Sequence, residues 1–190
     1  MGGVGCGSDD EPDTAAPPST SPTGTEPSST TSTNGESEPF EGGTEPVSAT
    51  GDAATIALLE RVALGSHEGY DRVVFQFRNA LPGYRVEYVE PPLRQDGSGD
   101  VVEVAGNAFV NVRMEPASGF DVGTGEGVLV YEGPRRVPGS SAGTTAVLEV
   151  VRIGDFEAQL NWAVGLDERT DFRVLTLDGP PRLVVDFRKQ

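Results

Sequence analysis

Few residues of this chain have the types and spacing that catalysis requires. The sequence has one histidine, His67, one cysteine, Cys6, and no Gly-x-Ser-x-Gly segment. A hydrolase needs a nucleophile beside a base, paired carboxylates or a metal, and a zinc site takes three or four His, Cys or carboxylate ligands. His67 lies in GSHEGYD, residues 65–71, which we expect to be a solvated turn. We therefore predict a protein that is not an enzyme and has no catalytic residue, no metal and no cofactor.

The segment DGSGD, residues 96–100, has the beginnings of a calcium-binding loop. Such a loop also needs a glycine after its third ligand and a glutamate at its twelfth position. Val101 and Asn107 occupy those two positions. We expect a polar turn here, with no bound calcium.

Polar side chains that could bind a glycan recur at outward positions of the predicted strands. Glycan binding typically uses aromatic rings, arginine, amides and acidic groups on an accessible sheet face or loop. An antiparallel sandwich also displays polar residues on its solvent face without any ligand. The candidates are Arg72, Gln76, Asn111, Arg113, Gln159, Asn161, Arg182 and Asp186.

The elements that must position these residues are short strands. From about Ala53 the chain consists of runs of Val, Ile, Leu, Phe and Tyr separated by Gly, Pro and Asp. Runs that recur every eight to twelve residues or so favour an all-β sandwich or barrel. Gly154-Asp155, between two strong runs, predicts a two-residue hairpin turn. The predicted strands cover residues 56–64, 72–77, 84–89, 101–105, 108–114, 127–131, 145–153, 156–164, 172–177 and 182–188.

Alternation within these strands predicts which side chains form the core. Successive residues of a strand point to opposite faces of its sheet. Trp162 alternates with other apolar residues and is therefore expected inside, whereas Tyr70, Tyr84 and Tyr88 are given no role. The inward sets are Val73, Phe75 and Phe77; Val110, Val112 and Met114; Ala158, Leu160, Trp162 and Val164; and Leu183, Val185 and Phe187.

One strand is written almost twice. DRVVFQFRN, residues 71–79, and PRLVVDFRK, residues 181–189, share Arg, Val, Phe and Arg at matching positions. Each copy follows another apolar run across a turn, so each is expected to be the second arm of a hairpin. We predict that the two hairpins lie in related positions, one in each sheet or joined at their edges. Two strands of similar composition could also resemble each other by chance.

The charge of the chain divides it into a tail and a body. Residues 1–52 contain ten acidic residues and no Lys or Arg, so all fourteen basic residues belong to the body. A balance this acidic argues against binding to nucleic acid or to anionic lipid head groups, which takes clustered basic residues. Residues 7–52, rich in Ser, Thr, Pro, Gly and Glu, are expected to be a disordered tether.

Cys6 is surrounded by small residues and followed by an acidic, Pro-rich run, GVGCGSDDEP. This segment resembles the cleavage site of bacterial lipoproteins, in which the cysteine is lipidated and becomes the mature N-terminus. Residues 1–6 would then be the remnant of a signal peptide whose apolar segment lies upstream. The resemblance implies an extracytoplasmic protein, anchored by lipid to the outer face of the cytoplasmic membrane.

The body resembles the AMIN-like domains of actinobacterial lipoproteins. ERVALGSHEGYDRVVFQF, residues 60–77, fits their first strands, and PPRLVVDF, residues 180–187, is similar to the closing strands of AMIN domains of cell-wall amidases and secretins. The resemblance covers about residues 54–189. It implies a β-sandwich of two related small sheets over residues 53–190, and it carries over the targeting function without the amidase chemistry.

These inferences predict a non-enzymatic, envelope-tethered binding module for peptidoglycan or another cell-wall component. The alternative is a protein adaptor of an envelope assembly, which would bind through a sheet edge or face. A carrier of a small ligand in the sandwich interior is a third reading. In each case the membrane is reached only through the lipid anchor.

Overall fold

A computed structural model describes residues 1–3, 40–123, 125 and 127–190, and in these residues the fold is all-β, as predicted. The one helical segment among them is a 3-10 turn at Gly139–Ala142. The strands are β1 Val47–Ala49, β2 Ala57–His67, β3 Tyr70–Phe77, β4 Gly83–Val89, β5 Ala108–Glu115, β6 Ala117–Ser118, β7 Phe120–Asp121, β8 Val128–Leu129, β9 Arg136–Pro138, β10 Val147–Phe156, β11 Gln159–Leu166, β12 Phe172–Leu177 and β13 Arg182–Arg188.

Two sheets form the sandwich. The six-stranded sheet has the order β1-β4-β5-β11-β10-β9, and the five-stranded sheet has the order β12-β13-β3-β2-β6. Neighbouring strands are antiparallel except for a two-residue parallel contact between β2 and β6. A small hairpin of β7 and β8 is separate from both sheets. The predicted antiparallel sandwich is therefore confirmed.

The core lies between the inner faces of the two sheets. Trp162 is fully buried at its centre, with its ring 5.9 Å from that of Phe75 and 5.5 Å from that of Tyr131. The predicted inward residues of β3, β5 and β13 are all buried in this cluster, as are Leu160, Trp162 and Val164 of β11. Burial of each large apolar side chain contributes about 1.5–3 kcal/mol relative to exposure. Strand periodicity alone thus predicted most of the core.

The two copies of the repeated strand pair with each other. They are β3 and β13, adjacent and antiparallel in the middle of the five-stranded sheet, with Val74 opposite Val184. Since Val74 and Val184 also occupy the same position in the repeat, a local pseudo-twofold axis passes between them. Of the two predicted placements, the structure has both hairpins in one sheet, joined through the repeated strands.

The apolar segment at residues 101–105 was predicted to be a strand, and this is wrong. It makes a single bridge, between Val101 and Arg94, and then crosses the outer face of the six-stranded sheet. There Val102 and Leu93 are buried against Ile153 and neighbouring residues in a second apolar cluster. The segment is apolar because it covers a sheet face, which sequence periodicity does not distinguish from strand pairing.

The hairpin of β10 and β11 turns three residues later than predicted. Its turn is Glu157-Ala158, with φ angles of 51° and 59°, and the strands on either side pair Phe156 with Gln159. Gly154 instead lies inside β10, at a register shift. Ala158 is consequently a turn residue and does not belong to the inward face of β11. The strand predicted at residues 127–131 shortens to β8.

Residues 40–52 were assigned to the tether by composition, but the structure describes them against the sandwich. β1 pairs with β4, with Val47 opposite Val86. The backbone of Gly43 exchanges two hydrogen bonds with that of Phe172, at 3.0 and 2.8 Å. A three-residue strand among polar neighbours is too short for composition to reveal. Cys6 and residues 7–39 lie outside the described residues.

Nowhere in the described residues is there a helix of the length and apolarity that a membrane crossing requires.

Candidate functional site

The eight candidate ligand-binding residues divide between the two outer faces of the sandwich. Because the inner faces of the sheets form one core, their outer faces point in opposite directions. The five-stranded sheet carries Arg72, Gln76, Arg182 and Asp186, and the six-stranded sheet carries Asn111, Arg113, Gln159 and Asn161. The candidates therefore cannot form one site.

The outer face of the six-stranded sheet is partly covered, so two of its candidates are not accessible in the way that alternation predicted. Asn161 is 7% exposed and donates a hydrogen bond to the Asp96 carboxylate. Asn111 is half-buried, and its side-chain oxygen is buried without a partner among the described residues. Arg113 remains exposed but is paired with Glu115 at 2.8 Å. Gln159 is half-buried next to the hairpin turn.

Arg113 also lines a groove of about 450 Å³ beside β1. Its neighbour there, Arg85, makes two hydrogen bonds of 2.7 Å to the Glu87 carboxylate. These bonds lower the pKa of Glu87. The basic groups of the groove are thus largely neutralised by carboxylates of the same face.

The outer face of the five-stranded sheet contains a buried carboxylate held by two arginines. Asp186 on β13 is directly opposite Arg173 on β12 and Arg72 on β3, so the three form one cross-strand row. Arg72 binds both carboxylate oxygens, Nε to Oδ1 at 2.6 Å and Nη2 to Oδ2 at 2.9 Å, and Arg173 Nε binds Oδ2 at 2.9 Å. The Asp186 side chain is fully buried, whereas Arg72 and Arg173 are 25% and 29% exposed. We call this set the closed row.

Aromatic rings support the guanidinium groups of the closed row. The Arg173 Cζ atom is 4.8 Å from the ring centre of Phe40 and 5.1 Å from that of Tyr70. Arg72 lies 5.3 Å from the same Tyr70 ring. The imidazole of His67 stacks on Tyr70 at 4.8 Å. These cation–π contacts hold the two arginines on the sheet surface.

A second row is related to the closed row by the pseudo-twofold axis. Arg61 on β2 is opposite Gln76 on β3, and Gln76 is opposite Arg182 on β13. In the repeat, Arg182 corresponds to Arg72 and Gln76 corresponds to Asp186. This second set, which we call the open row, therefore has the same arrangement of arginines around a neutral amide.

An ion pair flanks each row. Arg188 is 3.5 Å from Asp171 beside the closed row, and Arg78 is 3.6 Å from Glu60 beside the open row. Arg78 and Arg188 occupy the same position in the repeat. The centres of the two rows differ in charge, because Asp186 in the closed row corresponds to Gln76 in the open row. The open row is more positive than the closed row by one unit of charge.

Sequence reasoning found two of the three residues of each row. It named Arg72, Asp186, Gln76 and Arg182 on the repeated strands, but it missed Arg61, Arg173 and the aromatic residues Phe40 and Tyr70. A signal was present, because the same pair of residues, Arg-Val, occurs in the first arm of each hairpin, as Arg61-Val62 and as Arg173-Val174.

His67 is exposed at the end of β2, just before the turn in which it was predicted. In the described part of the chain, no group of three or more His, Cys, Asp or Glu residues is arranged to hold a metal ion.

Exposed apolar side chains gather at the β7–β8 hairpin. Val122, Val128 and Leu129 are 59%, 52% and 47% exposed. Phe120 of β7 and Phe156 at the end of β10, 39% and 60% exposed, line a common groove of about 270 Å³. This apolar patch is distinct from both arginine rows.

Comparison with protein-family models gives a match to the AMIN-like domain over residues 57–189. Searches of curated proteins and of solved structures give no match. The family match begins with β2 and ends just after β13, so it contains both hairpins and both arginine rows.

Proposed function

The chain belongs to the AMIN-like domain family, and on this premise we propose that it binds peptidoglycan or another cell-wall component through the outer face of its five-stranded sheet. AMIN-like domains are in general non-catalytic binding modules of the cell envelope. The family match does not identify the face of this chain that binds or the chemical groups that this face recognises.

The concentration of arginine on this face is the observation that carries the proposal. Arg61, Arg72, Arg173 and Arg182 lie in two neighbouring rows, in a chain whose formal net charge is -16. Peptidoglycan presents carboxylates on its peptide stems and hydroxyls on its glycan strands. Guanidinium groups bind carboxylates with directional, charge-assisted hydrogen bonds. The basic face attracts an anionic polymer, whereas the acidic remainder of the protein repels it.

A tether would make weak binding on this face sufficient. Residues 7–39, which are rich in Ser, Thr, Pro, Gly and Glu, are proposed as this tether. Attachment at a lipidated Cys6 would hold the sandwich near the wall at a high effective concentration. Mass spectrometry of the protein isolated from envelopes tests this part. A diacylglyceryl thioether on Cys6 supports the anchor, and a free thiol contradicts it.

A pull-down of the full chain on purified peptidoglycan sacculi tests the wall-binding proposal. We expect the wild type to be retained and the double variant Arg61→Gln/Arg182→Gln to be released. The matched control is Arg85→Gln/Arg113→Gln, which removes the same charge from the opposite face and should be retained like the wild type. Absence of wild-type retention, or equal loss in both double variants, would refute binding through this face.

The apolar patch at the β7–β8 hairpin favours a second candidate, a protein adaptor. Phe156 and Phe120 are exposed side by side, and exposed apolar patches often mark protein contacts. An envelope protein that binds the wild type and the Arg61→Gln/Arg182→Gln variant, but not a Phe156→Ser variant, would support this candidate. If Phe156→Ser binds the same proteins as the wild type, the adaptor candidate is refuted.

A further inference from the structure

The pseudo-twofold axis of the five-stranded sheet allows a direct comparison of its two hairpins. In the closed row, a carboxylate of the chain itself lies between two arginines. In the open row, two arginines at the corresponding positions flank Gln76. We propose that the open row, Arg61, Gln76 and Arg182, is a carboxylate-binding site in which a ligand carboxylate takes the role of the Asp186 side chain.

The register makes the two rows comparable residue by residue. Arg173 and Arg72 are the direct cross-strand neighbours of Asp186, and Arg61 and Arg182 are those of Gln76. Direct neighbours have Cβ atoms about 4.5–5.5 Å apart, so their side chains can converge on a common group. In the closed row this geometry gives three charge-assisted hydrogen bonds to one carboxylate. The open row has its two arginines at the same cross-strand positions, with a register shift next to Arg61 on β2.

The exchange of Asp for Gln replaces a charged acceptor at the centre of the row with a neutral amide, which has an acceptor oxygen and a donor NH2 group. A carboxylate at position 76 would neutralise the arginines and repel an anion. The Gln76 amide carries two N–H groups. One of them is donated to Glu60, and the other is available to a ligand together with donors of Arg61 and Arg182.

One acidic side chain of the chain, Glu60, lies beside the open row. Glu60 is 3.6 Å from Arg78, and it accepts a hydrogen bond of 3.3 Å from the Gln76 amide. Glu60 is an extra residue at the register shift between Leu59 and Arg61, and it has no counterpart beside the closed row. The counterpart of Asp171 is Leu58, whose carbonyl accepts from the Arg78 backbone N–H as that of Asp171 accepts from the Arg188 N–H. Arg182 donates to the Pro180 carbonyl at 3.2 Å, and Arg61 is exposed. Both guanidinium groups retain donors for a ligand.

The class of ligand follows from Asp186, the carboxylate that the closed row binds. Asp186 is a planar carboxylate bound through both oxygens by Arg72, which is the bidentate geometry that guanidinium and carboxylate groups share. The site should therefore take the carboxylate of a peptide. The source of this ligand rests on the proposed function. If that function is correct, the carboxylate belongs to a peptide stem of the wall.

The test uses the full chain and a soluble probe, N-acetyl-alanyl-alanine, with its C-terminal amide as the uncharged control. The readout is the ¹⁵N NMR signals of the Gln76 side-chain amide and of the arginine Nε–H groups. We expect the acid to shift the signals of the open row in a saturable way, and we expect the amide to shift none of them. Equal shifts with the amide, or no shift with the acid, would overturn the proposal.

Two variants at one position separate binding from folding. Gln76→Asp supplies an internal carboxylate and should weaken binding of the probe at least tenfold, corresponding to about 1.4 kcal/mol. Gln76→Asn has a side chain of the same length as that of Gln76→Asp but without its charge, and it should bind the probe like the wild type. Fluorescence of the single, buried Trp162 verifies that both variants are folded. If Gln76→Asp does not fold, Arg182→Gln, which should also lose binding, replaces it.

Further outcomes distinguish this proposal from the proposed function. Inorganic phosphate that displaces the acid probe at a lower concentration would show a site for phosphate and would overturn the carboxylate assignment. Retention on sacculi without any probe-induced shift would support the wall-binding function and refute the carboxylate site. A probe-induced shift without retention on sacculi would support the site and refute the wall as its source.

Discussion

The closed row makes a quantitative prediction about stability. Asp186→Asn removes a fully buried carboxylate that accepts three hydrogen bonds from Arg72 and Arg173. Each hydrogen bond to a charged group contributes about 1.5–3 kcal/mol, and breaking one partner of a fully buried pair costs about 3–5 kcal/mol. Both arginines are about a quarter exposed, so water partly replaces the lost carboxylate. We expect the free energy of unfolding to fall by about 2–4 kcal/mol.

Urea unfolding followed by Trp162 fluorescence measures this change, because Trp162 is the single tryptophan and is fully buried. For a domain of this size the melting temperature should fall by roughly 5–15 °C. The matched control is Glu87→Gln, which also removes a bidentate arginine pair, but one whose Arg85 partner is 50% exposed. Exposed pairs contribute about 0–1 kcal/mol.

The comparison tests whether burial, rather than geometry, determines the contribution of an arginine–carboxylate pair. Equal effects of Asp186→Asn and Glu87→Gln would refute the reasoning, as would a change below about 0.5 kcal/mol in Asp186→Asn. The same variant has a second consequence, because it gives the closed row the neutral centre of the open row. Asp186→Asn should therefore acquire a second binding site for the carboxylate probe, visible as new shifts of the Arg72 Nε–H signal.

Three further predictions concern other parts of the sandwich. Asp71→Ala should lower the free energy of unfolding by about 3–5 kcal/mol in urea titrations, because it leaves three backbone N–H groups of residues 145–147 without their shared carboxylate acceptor; an effect under about 1 kcal/mol would contradict this. Burial raises the pKa of Tyr88 above its usual value. A group whose pKa is raised on folding contributes stability below its unfolded pKa, and this stability is lost as the pH rises towards the folded pKa. Stability should thus fall above about pH 10, and Tyr88→Phe should reduce that slope in unfolding curves at several pH values; an unchanged slope would count against it. Gly165→Ala should destabilise by about 1–3 kcal/mol in thermal melts, because a Cβ there would collide with the Ala105 carbonyl oxygen; an unchanged melt would show that the loop shifts freely.

The strands themselves were accessible to sequence reasoning because their signal is local. Val73, Phe75 and Phe77 alternate with polar or smaller residues, and this period of two places them on the buried face whatever strand lies beside them. The hairpin turn at Glu157-Ala158 was misplaced for a related reason. A glycine between two apolar runs indicates a turn, but glycine also occurs at bulges and close contacts inside strands. In the folded chain Gly154 lies at a register shift of β10 and packs closely against Asp96.

The candidate site was only half accessible. Arg72 and Asp186 were named separately as outward polar residues, without any sign that they bind each other across 114 positions of sequence. Asn161 was named with them, although a loop residue, Asp96, covers it. Both outcomes depend on which distant segments meet, and alternation within one strand contains no information on that.

By itself the sequence determined most of the core-facing residues of four strands, the scarcity of catalytic groups and the repetition of one strand. Only the tertiary structure decided that the two copies lie side by side, with Val74 opposite Val184. This pairing creates both rows, because Arg173 and Arg61 join them from the outer strands. The physical reason is that side-chain direction follows from the local backbone, whereas a cross-strand neighbour is chosen by the burial of the whole sheet against its partner.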